Sequence, residues 1–207
     1  MVEETNSRWN WLFKLGGIAA LILLALFLIG MIGISAKGSQ PALFQNNWLI
    51  VLFMLNIKFG GTQTDWLNIL NPLDIVIMVL FEVLFLALFA ILNRTSRFWS
   101  TVATSLPFLG IVVFLITHTA GRSALLIGGL IFSVIMLRSN VFSKASAYAG
   151  LMASVLLFFG GDIATAMFSA STVVSILIAI GYVLWMIWLF LMGRRLFQLG
   201  SGKSQEA

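Results

Sequence analysis

Apolar residues run along this chain in long unbroken blocks, not in the alternation of a strand or the one-sided stripe of a soluble helix. The blocks cover Leu15–Ile34, Pro72–Leu92, Trp99–Thr117, Ser123–Leu137, Ala145–Phe168 and Val173–Met192. A helix needs ~20 such residues to cross the hydrocarbon of a bilayer. Five of the blocks are near that length, and the fourth borrows its flanking turn. Lipid offers backbone amides no partner, so each spanning block must close its own hydrogen bonds as a helix. A barrel would need alternating segments of about ten residues, which the chain lacks. The expected fold is therefore all-α: a polytopic membrane helix bundle of about six transmembrane helices, forming one domain over residues 1–207. A shorter apolar stretch lies within residues 47–57, framed by Asn46, Asn47, Asn56 and Lys58. Being too short to span, it reads as an interfacial or re-entrant helix over the outer mouth of the bundle, either packed there as a loop helix or acting as a lid.

Local punctuation fits these blocks. Asn71 is a good N-cap, Pro72 suits a first helical position, and Asp74 then faces the positive end of the helix dipole. Pro107 falls inside the third block, where it removes the hydrogen bond to the Ala103 carbonyl and predicts a kink. Ala145, Ala149 and Ala153 recur at intervals of four, as do Gly129 and Ser133. Such small-residue faces permit close helix contact, within the chain or in an oligomer. A shift of 44 residues aligns Arg94, Phe98, Ala103 and Phe114 with Arg138, Phe142, Ala147 and Phe158, little more than the biased composition gives by itself.

Composition sharpens this picture. The 207 residues are 60% hydrophobic and 9% charged, with a mean hydropathy of +1.06; a soluble domain is about 25% charged. The formal charge of +5 does not point to nucleic acid, because the basic residues sit at the ends of the apolar blocks. On one side of a six-span topology lie Arg8, Lys14, Arg94, Arg97, Arg138, Lys144, Arg194, Arg195 and Lys203; on the other lie Lys37, Lys58 and Arg122. The positive-inside rule makes the first side cytoplasmic, with both termini there, in a cell membrane. Trp9, Trp11, Trp99, Trp185 and Trp188 then read as a cytoplasmic-side aromatic belt, with Trp48 and Trp66 outside. The same topology places the sequon at Asn93 in the cytoplasm and discounts it. The first block is longer than a signal-peptide core and is not followed by an A-x-A site before Lys37, so it reads as a retained helix. The chain has no cysteine, which excludes disulfides, thiolate metal sites and a cysteine nucleophile.

Ionisable groups within spans are functional suspects. Glu82 stands at the middle of the second block, where a carboxylate takes up a proton or finds a cationic or hydrogen-bonding partner. It is either a proton carrier or polar-site residue, or a neutral acid bonded to a neighbouring helix. Asp74 has its capping role. His118, Arg122 and Asp162 gather at the outer surface, where a metal, a proton relay or an anionic group is conceivable. An ion pair of Arg122 with Asp162 or Asp74 is the favoured reading, since one histidine makes a thin metal site. Asp74, Glu82, His118, Arg122 and Asp162 together form the candidate polar site. No catalytic or cofactor motif is found, and no cofactor is expected.

Five stretches, Asn71–Ile75, Leu106–Gly110, Thr117–Ser123, Met136–Lys144 and Gly193–Gly200, together resemble an uncharacterised group of prokaryotic six-helix membrane proteins. The resemblance covers roughly residues 48–200 and implies six helices but no activity. Asp74, Arg122 and Asp162 fit its pattern, whereas at Glu82 the group is apolar or small. Three functions stay open: handling of a small solute or lipid through a polar pocket in the outer half of the bundle; a non-catalytic scaffold or partner subunit; and, third, an intramembrane lipid-modifying enzyme, against which the single histidine and absent cysteine weigh.

Overall fold

The computed structural model describes residues 3–36, 72–117, 121–163 and 172–201, all in helices or the turns between them. Six helices follow one another: α1 (Glu3–Ala36), α2 (Pro72–Leu92), α3 (Arg97–Thr117), α4 (Gly121–Arg138), α5 (Lys144–Leu157) and α6 (Thr172–Gly200). A π-helical turn, Phe158–Ile163, continues α5. The chain is thus all-helical in its described parts. Each apolar block falls on one helix, and α2 has the limits read from the sequence. The end of the fifth block and the segment 47–57 lie outside the described residues. Two stretches among the described residues are long and apolar enough to cross a membrane, Trp9–Ile29 in α1 and Ile176–Gly200 in α6.

Each helix packs on its predecessor and α6 returns to α1, closing a ring. Glycines set the tightest crossings. At Gly17 a Cβ would stand 3.0 Å from both the Gly193 carbonyl oxygen and the Phe197 nitrogen, so α1 and α6 meet backbone to backbone. Gly200 lies against the Asn10 and Lys14 backbone of the same pair, which therefore runs antiparallel. Gly128 brings α4 onto α3: a Cβ there would be 2.8 Å from the Ala103 carbonyl oxygen. That is the carbonyl deprived of its helical donor by Pro107, so the proline and the close crossing occupy one place.

Aromatic rings fill the middle of the ring of helices. Phe81 of α2 meets Phe27 of α1 edge-on at 6.4 Å, Phe85 at 6.2 Å and Trp185 of α6 at 6.2 Å. Phe85 stacks on Phe132 of α4 at 5.4 Å, and Trp185 tilts against Trp188 at 4.9 Å. Such offset and edge-on pairs are the favoured geometries of ring quadrupoles. The outside is equally apolar: Ile18, Ile22, Val79, Leu109, Met152 and Ile180 are all exposed. Trp9, Trp11 and Trp99 are also exposed, as an aromatic belt requires, but Trp185 and Trp188 are buried at 2% and 0%. These two tryptophans are core residues and do not belong to the belt that their nearness to Arg194 and Arg195 suggested. The reason is the room that Gly129 of α4 and Gly150 of α5 leave for the two indoles.

Candidate functional site

Of the five residues expected to form a polar site, Glu82 alone has a described side chain. Asp74 and Arg122 lie in the first turns of α2 and α4, and Asp162 in the π-helical turn; His118 falls outside the described residues. The backbone thus puts positions 74, 122 and 162 at one end of the bundle, as the up-and-down order of helices requires. The ion pair expected there lies outside the described side chains.

Glu82 is buried, 7% exposed, between Met78 and Phe85 on one face of α2. Neither carboxyl oxygen has a hydrogen-bond partner among the described residues. The interhelical hydrogen bond expected for it is therefore not formed among the described residues. Of the buried hydroxyls of α3, Thr104 Oγ1 donates to the Ser100 carbonyl of its own helix at 2.9 Å, whereas Ser100 Oγ has no partner among the described residues. A second polar spot lies between α4, α5 and α6. Ser133 Oγ donates to the Gly129 carbonyl at 2.8 Å, while Ser154 Oγ and the Trp188 Nε1–H are buried without partners among the described residues.

The cavities lie elsewhere, at the opposite, basic end, where Lys14, Arg94, Arg97, Arg138, Lys144, Arg194 and Arg195 congregate. One, about 660 Å³, is bounded by the start of α1 and the end of α2. Trp9, Leu12, Phe13, Leu86, Phe89 and Ile91 make it apolar, and Asn93 and Arg94 are also in its wall. A second, about 370 Å³, lies between the α4–α5 turn and α6, its wall mixing Val141, Phe142 and Leu191 with Asn140, Ser143, Arg194, Arg195 and Gln198. A third, about 340 Å³, joins Trp99 and Arg138 beside Thr95 and Ser96.

Local chemistry holds this end together. Ser143 caps α5, its Oγ accepting from the Ser146 N–H at 3.2 Å and sharing a 2.7 Å hydrogen bond with the Ser146 hydroxyl. Lys144 Nζ donates to the Leu137 carbonyl at the close of α4, where free carbonyls favour a cation. Arg195 Nε donates to the Val141 carbonyl at 2.8 Å, tying α6 to the turn across 54 residues of sequence. The sequence marks these basic residues as topology signals only. Their convergence on cavities had no signal in the linear order, because the partners belong to different helices. No group of three or more potential metal ligands occurs among the described residues. No protein-family model, curated protein or solved structure matches the chain.

Proposed function

We propose that this chain is a six-span protein of the cell membrane, with both termini cytoplasmic, that holds a membrane lipid at the cytoplasmic end of its bundle. The carrying observation is the 660 Å³ apolar cavity that has Asn93 and Arg94 in its wall. Ligand pockets are typically of ~300–1,000 Å³, apolar within and marked by a few polar groups that orient the ligand. An apolar cavity at the basic end of the bundle matches the acyl chain of an amphiphile whose polar head lies nearby. The apolar outer surface, the exposed Trp9, Trp11 and Trp99, and the nine basic residues on one side all favour the membrane reading.

This reading moves lipid handling from the outer half of the bundle to the inner end. It is favoured over a scaffold because Gly16, Gly17, Gly128, Gly129, Gly150 and Gly193 are all spent on crossings within the chain. Small faces used internally are not free to pair with a partner helix.

Reporter fusions test the topology: fusions after Arg97, Lys144 and Gly200 should report cytoplasm, and those after Gly61, Arg122 and Ser169 the outside. An external reporter after Gly200 would break the six-span arrangement. Native mass spectrometry of the detergent-purified chain should find retained phospholipid, and Ala90→Trp, which fills the cavity, should abolish its retention. Equal retention by the variant refutes the cavity as the site.

A further inference from the structure

We propose that the bound lipid is an anionic glycerophospholipid whose phosphate sits in the polar pocket between the α4–α5 turn and α6, with an acyl chain in the adjoining apolar cavity. This rests on the lipid reading above and adds the headgroup's charge and its seat. The two cavities have Val141 in common in their walls, which makes them neighbours. The second, of about 370 Å³, presents Asn140, Ser143, Ser146, Arg194, Arg195 and Gln198 and no carboxylate among the described residues.

The donor set suits a phosphate diester. Arg195 is half-buried and its Nε is fixed by the Val141 carbonyl at 2.8 Å. That bond orients the guanidinium and leaves its terminal nitrogens for an acceptor. A planar guanidinium held in one pose binds phosphate oxygens bidentately with little loss of freedom. Arg194, exposed beside it, adds a second positive charge. The Asn140 and Gln198 amides and the Ser143–Ser146 hydroxyl pair supply neutral donors for the remaining oxygens. Among the described residues no ion pair neutralises either arginine. A zwitterionic lipid brings its own cation into this pocket, whereas an anionic lipid brings none. Basic pockets between helices on the cytoplasmic side are the setting in which such headgroups are recognised.

The test is native mass spectrometry of the full-length, detergent-purified chain titrated with dioleoyl phosphatidylglycerol and, separately, dioleoyl phosphatidylcholine. The anionic lipid should bind about tenfold more tightly. Arg194→Gln and Arg195→Gln should each cut that preference to within about threefold. Arg97→Gln removes one exposed charge from the same end, away from the pocket, and should keep the full preference. Should Arg195→Gln fail to fold, Arg194→Gln carries the test alone, its side chain being exposed. Equal affinity for the two lipids in the parent chain overturns the anionic assignment while sparing the cavity reading; binding of neither overturns both. An equal loss in Arg97→Gln would show diffuse surface charge and sink the pocket. Inorganic phosphate at millimolar concentration should not displace the lipid; if it does, the ligand is a soluble phosphate and the proposal falls.

Discussion

Gly150→Ala is the substitution with the clearest expected cost. The position faces α4 and α6 from the buried side of α5, and a Cβ there would stand 2.5 Å from both Cδ1 and Nε1 of Trp188 and closer still to Ser133 Oγ. Carbon atoms pack at ~3.5–4.0 Å, so the indole must retreat by about 1 Å. Trp188 is fully buried and has Trp185 against it at 4.9 Å, which blocks a simple slide. Overpacking of this kind costs about 1–3 kcal/mol. Alanine recovers about 1 kcal/mol over glycine in helix propensity. With two rigid neighbours the upper part of the range applies, and the expected net loss is about 2 kcal/mol. Gly160→Ala is the control, since its nearest foreign atom is Ile178 Cγ1 at an ordinary 3.4 Å. Equilibrium unfolding from mild detergent into dodecyl sulfate, followed by tryptophan fluorescence, compares the two. Adding Ser133→Ala to Gly150→Ala should recover part of the loss, because it removes one of the two obstacles. A Gly150→Ala protein as stable as Gly160→Ala and the parent chain would refute this account of the α4–α5–α6 junction.

Two further outcomes follow from buried or bridging polar groups. Glu82→Met should leave stability unchanged or raise it by up to about 2 kcal/mol, since it removes, at similar volume, two buried oxygens that have no partner among the described residues. Glu82→Gln should unfold within about 1 kcal/mol of the parent. A loss above that range in the same unfolding assay, restored by Glu82→Asp, would mean an ionised carboxylate with a partner beyond the described residues. Arg195→Ala breaks the 2.8 Å bond to the Val141 carbonyl and should cost about 1.5 kcal/mol, with Arg195→Lys intermediate. Its thermal midpoint in detergent reads this directly, and an unchanged midpoint for Arg195→Ala would mean that the turn holds without α6.

The positions of the helices were legible because a long apolar block has few ways to satisfy its backbone. Pro72–Leu92 coincides with α2, and the other blocks lie within single helices apart from the end of the fifth, beyond the described residues. Charge was legible in the same way: Lys14, Arg94, Arg97, Arg138, Lys144, Arg194 and Arg195, the described ones among the basic residues named from alternate block ends, do lie at one end of the bundle. Close contact by small residues was legible in kind, since Gly129 meets Trp185 and Ser154. The ionisable groups that stood out in the sequence made a different pattern from the cavities. Glu82 is conspicuous by type and depth, yet it is buried and lines none of these three cavities.

Rotation and convergence belong to the tertiary structure. A helix that is apolar all round carries no stripe to say which face turns inward, so Trp185 and Trp188 could be read as interface anchors although both are core. What turns them in is the space left by Gly129 and Gly150 on α4 and α5, and glycines so far away in sequence do not announce which ring they receive. The basic end behaves likewise. Arg195 and Val141 are 54 residues apart, and only the return of α6 against the α4–α5 turn makes them one wall of a pocket. Apolar periodicity acts along one helix and settles where it begins and ends; steric fit acts between helices and settles which faces meet, and the cavities exist only once those faces have met.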